Sequence, residues 1–84
     1  MDTQQQMFGR RLRELRIQRG LSQQAVADSV GTISQSLLAF YEAGRGSPSV
    51  ERLLDLAKFF GVGLDYLYGM EEIAAGSAHS QQYQ

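Results

Sequence analysis

Groups able to make or break covalent bonds are few in this sequence and poorly placed. His79 is the only histidine and there is no cysteine. No Ser-His-acid or thiolate centre can therefore be laid out on an ordered scaffold. His79 lies in a polar stretch, residues 76–84, that reads as a tail. Glu71 and Glu72 are adjacent and would point in different directions on a helix. Neither metal-ligand spacing nor a phosphate-cradling glycine loop occurs. The sequence predicts no enzyme, cofactor, metal centre or small-molecule ligand. What remains is the chemistry of recognition: amides and hydroxyls in Ser22-Gln23-Gln24 and Ser34-Gln35-Ser36, with arginines around them.

At 84 residues and 43% hydrophobic, the chain suits one small globular domain. Without cysteine, no disulfide can reinforce it. No apolar run approaches the ~20 residues of a membrane span, and residues 1–6 lack a signal-peptide core. A cytoplasmic protein is expected. The formal charge is -1, unpromising for a partner made of phosphate, but its distribution is uneven. Residues 1–52 hold seven arginines against five acids, and residues 53–84 one lysine against four acids. That split suits one face on an anionic partner; a mixed solvated surface would give the same totals.

Hydrophobic spacing and punctuation predict five short helices and no strand. Phe8, Leu12 and Leu15 form the stripe of the first, which ends near Gly20. Ser22 caps the second, with Val26, Ala27 and Val30 inward and Gly31 as its stop. Ser34 can cap a third, from Gln35 to Ala43. Ser49 caps a fourth, whose buried face reads as Val50, Leu53, Leu54, Ala57 and Phe60. Leu64 to Tyr68 forms a fifth, stopped by Gly69. The expected organisation is an N-terminal arm over residues 1–6, a folded domain over 7–69 and a C-terminal extension over 70–84.

The second and third helices have the makings of a helix-turn-helix. Two short helices that cross steeply need a small residue at their closest approach, which Ala27 supplies. Their turn needs a residue tolerant of left-handed geometry, which Gly31 supplies four positions later. The second helix of such a pair can enter a DNA major groove.

With these features the chain resembles the phage repressor/Cro class of helix-turn-helix proteins, the Xre family. The matching segments are Arg13-Glu-Leu-Arg16, Gly20-Leu-Ser-Gln23, Ala25-Val-Ala27, Val30-Gly31, Glu42-Ala-Gly44, Pro48-Ser49, Leu53-Leu-Asp-Leu-Ala57, Phe60-Gly-Val62 and Leu64-Asp-Tyr-Leu67. Each is weak alone; their order and spacing are specific. The resemblance implies an all-α, five-helix domain of the lambda repressor-like type. It also implies a transcriptional regulator, most often a repressor, that binds a palindromic double-stranded DNA operator as a homodimer.

Site roles follow from the same resemblance. Gln23, beside Ser22 at a helix N-terminus, would anchor a phosphate, as would Arg45 in the loop after the third helix. Arg16 would pair with Glu42 and brace the recognition helix, or share itself with a phosphate. Gln35 and Ser36 would contact base edges, because a glutamine amide can bond adenine bidentately and serine can donate or accept. Arg10, Arg11 and Arg13 would add only long-range attraction.

One departure matters. The interval from Gly31 to Glu42 is one residue longer than the family's usual spacing. If the extra residue lies in the turn, Ile33 is buried, Ser34 caps, Leu38 and Tyr41 face the core, and Leu37 and Phe40 are exposed. If it lies late in the third helix, Leu37 and Phe40 are core and Leu38 and Tyr41 lie outside. Turns accept insertions more cheaply than helices, which favours the first register. Gln35 keeps its place in both; the choice decides which of Ser34, Ser36, Ala39 and Phe40 join it.

The expected dimer contact comprises Leu64, Tyr66, Leu67, Tyr68, Met70 and Ile73, apolar residues away from the arginines. Leu64 and Leu67 could instead close the monomer core. The rival reading of the whole is a protein-interaction module, such as an antitoxin, on the same fold.

Overall fold

The computed structural model describes residues 3–69. Five helices follow one another: α1 (Gln4–Gln18), α2 (Gln23–Val30), α3 (Gln35–Glu42), α4 (Val50–Phe60) and α5 (Leu64–Leu67). Among the described residues there is no strand.

Hydroxyl side chains begin four of the five helices. Ser22, Ser34 and Ser49 accept from the amides of Ala25, Leu37 and Arg52 at 3.0, 3.0 and 3.2 Å. Each such cap stabilises its helix by about 1 kcal/mol. Thr3 does the same for α1 within a reciprocal box: its hydroxyl accepts from the Gln6 amide while the Gln6 side chain accepts from the Thr3 amide. Gln4, Gln5 and Gln6 are thus helical, where their polarity had suggested an arm. The Thr-x-x-Gln signature outweighs that polarity.

A single core joins the helices. Phe8, Leu12 and Leu15 descend from α1, Val26 and Ala27 from α2, and Leu38 and Tyr41 from α3. Leu56, Ala57 and Phe60 come from α4 and Leu67 from α5. The buried face of α4 differs from the one expected. Val50 is 70% exposed and Leu54 36%, while Leu56 is fully buried. Leu53, Leu56, Ala57 and Phe60 fall within an arc of about 100° at helical pitch, and Val50 and Leu54 lie to one side of it.

α1 and α3 cross at main-chain contact. Gly9 is buried in α1, and a Cβ placed on it would lie 2.3 Å from the Tyr41 carbonyl oxygen and 3.0 Å from that of Glu42. Only glycine fits there. Beyond this crossing α3 ends in a paired-bond stop. The Gly44 amide donates to the Tyr41 carbonyl at 2.9 Å and the Arg45 amide to that of Phe40 at 3.2 Å.

Candidate nucleic-acid interface

The turn between α2 and α3 fixes everything that α3 presents. Gly31 closes α2 at φ 83°, a conformation that strains other residues. Ile33 then drops into the core, and Ser34 opens α3. Leu38 and Tyr41 are buried, whereas Phe40 is 44% exposed. This is the register with the extra residue in the turn. Leu37 differs from that expectation in being half-buried against the core rather than exposed. Thr32 donates to the Asp55 carboxylate at 2.8 Å, tying the lengthened turn to α4.

Four polar side chains link α1, α2 and α3. Arg16 donates from Nε to Glu42 Oε2 at 2.6 Å and from Nη2 to Glu42 Oε1 at 2.9 Å. Its Nη1 donates to the Leu21 carbonyl at 3.0 Å. The hydrogen bond to Glu42 raises the Arg16 pKa above its ordinary value, against the opposing effect of burial. Glu42 Oε1 also accepts from Gln23 Nε2 at 3.1 Å, and Gln23 Oε1 accepts from Gln35 Nε2 at 2.7 Å. The side chains of Arg16 and Glu42 are only 14% and 5% exposed.

These contacts revise the expected roles. Arg16 faces inward to Glu42 and Leu21, which fits bracing and not phosphate sharing. Gln23, expected on a phosphate, has its carbonyl oxygen and one N–H inside the network. Gln35 is half-buried at the start of α3. Ser34, Ser36 and Phe40 are exposed and Ala39 is half-buried. Ser22 is exposed beside the first turn of α2, and Arg45 is exposed after α3.

Two further arginines hold helix ends, which the sequence did not reveal. Arg19 donates to the Phe60 carbonyl at 2.5 Å at the end of α4 and lies over the Phe60 ring. Arg11 donates to the Tyr66 carbonyl in α5 and sits 4.5 Å from the centroid of that ring. Cationic donors suit the electronegative ends of helices. A guanidinium over an aromatic face adds attraction.

The expected dimer residues divide. Leu67 is fully buried where α5 closes the core, so it presents no surface to a second chain. Tyr68 packs its ring 5.7 Å from that of Phe8, and Leu64 and Tyr66 are half-buried. Met70 and Ile73 lie outside the described residues. The reason is geometric: a four-residue helix at the end of a small domain must supply the last core side chain.

The helix-turn-helix family matches residues 12–67, from the middle of α1 to the end of α5. The chain belongs to this family. As a helix-turn-helix domain of the Xre, or Cro/C1, type it is 45% identical to the cryptic phage CTXphi transcriptional repressor RstR of Vibrio cholerae. That similarity covers 67% of this chain and 50% of that protein. It is 39% identical to the SPbeta prophage-derived uncharacterized HTH-type transcriptional regulator YonR of Bacillus subtilis (strain 168), over 73% of this chain and 56% of that one. The chain thus spans about half the length of these curated relatives. Its helix-turn-helix fold is similar to the S. venezulae BldD DNA-binding domain, with a TM-score of 0.65 and 36% identity. There the similarity covers 75% of this chain and 93% of that structure. The family is one of transcriptional regulators rather than enzymes. Among the described residues no helix is long and apolar enough to cross a membrane.

Proposed function

We propose that this domain is a sequence-specific DNA-binding transcriptional regulator, acting as a repressor, with α3 in the major groove. The observation that carries the reading is the Gln35 amide, held by Gln23 at the open end of α3. A glutamine fixed there can meet adenine N6 and N7 together. Ser36 is exposed one residue on, and Ser34, Ala39 and Phe40 flank the pair along the same helix. Phe40 offers apolar contact to a thymine methyl. Ser22, the remaining N–H of Gln23 and Arg45 are the groups for the phosphates on either side. Relatives described as a repressor of a phage and a regulator derived from a prophage support the regulatory part of the reading.

A domain this small covers a short half-site, so the reading includes a homodimer on an inverted repeat about one helical turn apart. Leu64, Tyr66 and Tyr68 are the described members of the expected contact that keep exposed surface. A regulator of this kind works beside the chromosome, in the cytoplasm.

Selection of bound sequences from random double-stranded DNA tests the reading. The expected product is a short motif repeated in inverted orientation. Gln35→Ala should then weaken the selected site by about 1–3 kcal/mol while sparing random DNA. No enrichment over the starting pool would sink the proposal, and equal weakening on both DNAs would remove Gln35 from base reading.

A further inference from the structure

The side chains joining Arg16 to Gln35 form a chain with a direction. We propose that the negative charge of Glu42 sets which way round the Gln35 amide faces the DNA, and so selects adenine over guanine. This rests on the reading of Gln35 as a base contact.

Donors and acceptors fix the direction. A guanidinium only donates and a carboxylate only accepts. Glu42 Oε1 takes Arg16 Nη2 at 2.9 Å and faces the Gln23 amide at 3.1 Å. Because the carboxylate has no proton to give, the Gln23 atom facing it must be nitrogen. The Gln23 carbonyl oxygen therefore turns the other way, onto the Gln35 amide at 2.7 Å. That oxygen cannot donate either, so the Gln35 atom facing it must also be nitrogen.

Two amides alone would be indifferent to turning over together, because each carries a donor and an acceptor at similar distance. One acceptor-only group at the end of the chain removes the second arrangement. Gln35 is left with one N–H and its carbonyl oxygen, a donor beside an acceptor. That pattern complements adenine N7 and N6. The reversed chain would aim both N–H groups of Gln35 away from Gln23, a pattern that complements guanine N7 and O6. Glu42, with a side chain only 5% exposed, does this without reaching DNA. It is a positioning residue acting through Gln23.

The test uses the whole chain and the DNA selected as above. At the base pair whose preference Gln35→Ala removes, affinity is compared for A·T and G·C. The intact protein should favour A·T by roughly 5- to 150-fold, the range for one bidentate pair. Glu42→Gln keeps the shape but cannot accept all three N–H groups that converge on the carboxylate. Gln23→Ala cuts the chain while leaving the Arg16–Glu42 pair, and with it the fold, in place. Each should bring the ratio to within about threefold. If Gln23 also holds a phosphate, its removal weakens both sites equally and leaves the ratio untouched, so the ratio isolates the chain. Thermal melting checks that the variants are folded. A wild-type preference for G·C at that pair overturns the proposal. So does a ratio that survives both Gln23→Ala and Glu42→Gln, and then the base contact by Gln35 still stands. Only if Gln35→Ala alters preference at no position does that reading fail as well.

Discussion

Arg16 and Glu42, 26 residues apart, meet through two parallel hydrogen bonds of 2.6 and 2.9 Å. The pair joins α1 to the last residue of α3, so it bears on stability and on where α3 lies. Removing one partner leaves the other mostly buried and uncompensated. Glu42→Ala should cost about 3–5 kcal/mol, and Arg16→Met a similar amount. The double change to Met at both positions should cost clearly less than the sum of the two, because neither charge is then stranded. Urea unfolding of the three variants checks this; simple additivity would show that the pair contributes no coupling.

At Gly9 two effects oppose each other. Alanine is the better helix former by about 1 kcal/mol. The added Cβ would stand 2.3 Å from the Tyr41 carbonyl oxygen, which is main chain and cannot swing aside. The clash should win, and Gly9→Ala should lower stability by about 1–3 kcal/mol. A rise in melting temperature would show that α3 can move away at little cost.

The two apolar stripes of α4 give a direct comparison. Leu56 is fully buried and Val50 is 70% exposed. Leu56→Ala should destabilise by about 2–5 kcal/mol. Val50→Thr should stay within about 0.5 kcal/mol of the parent. Denaturation midpoints with equal slopes would separate the two; comparable destabilisation would mean that α4 is rotated relative to the described packing.

Binding to the selected DNA should weaken steeply with salt, because each phosphate contact releases counterions. Arg45→Ala should reduce the slope of log affinity against log salt by about 1 and weaken all sequences alike. An unchanged slope would take Arg45 off the DNA backbone.

Much of this architecture is legible in the sequence because its punctuation is local. Ser22, Ser34 and Ser49 cap helices through hydroxyls that reach only three residues along the chain, and Gly31 stops α2 by its own backbone. The turn register is accessible too, since serine caps and isoleucine fills. Other features depend on partners remote in sequence. Adjacent Leu53 and Leu54 admit two stripes on α4, and only packing against the other helices chooses Leu53 with Leu56. Arg11 and Arg19 look like solvated cations until α5 and α4 bring carbonyl groups to them, 55 and 41 residues away. Arg16 with Glu42 follows from the family resemblance rather than from spacing. Gln23 between Glu42 and Gln35 is a relation between two helices that no single-helix periodicity encodes.

The main-chain crossing at Gly9 has a bearing on how such a domain diverges. α3 is seated against α1 partly by carbonyl and amide atoms, which are the same whatever the sequence. Its exposed positions, Ser36 and Phe40 among them, take no part in that seat. Descendants of this protein can exchange those side chains one at a time while the helix keeps its address, so the text it reads can be rewritten without rebuilding the reader.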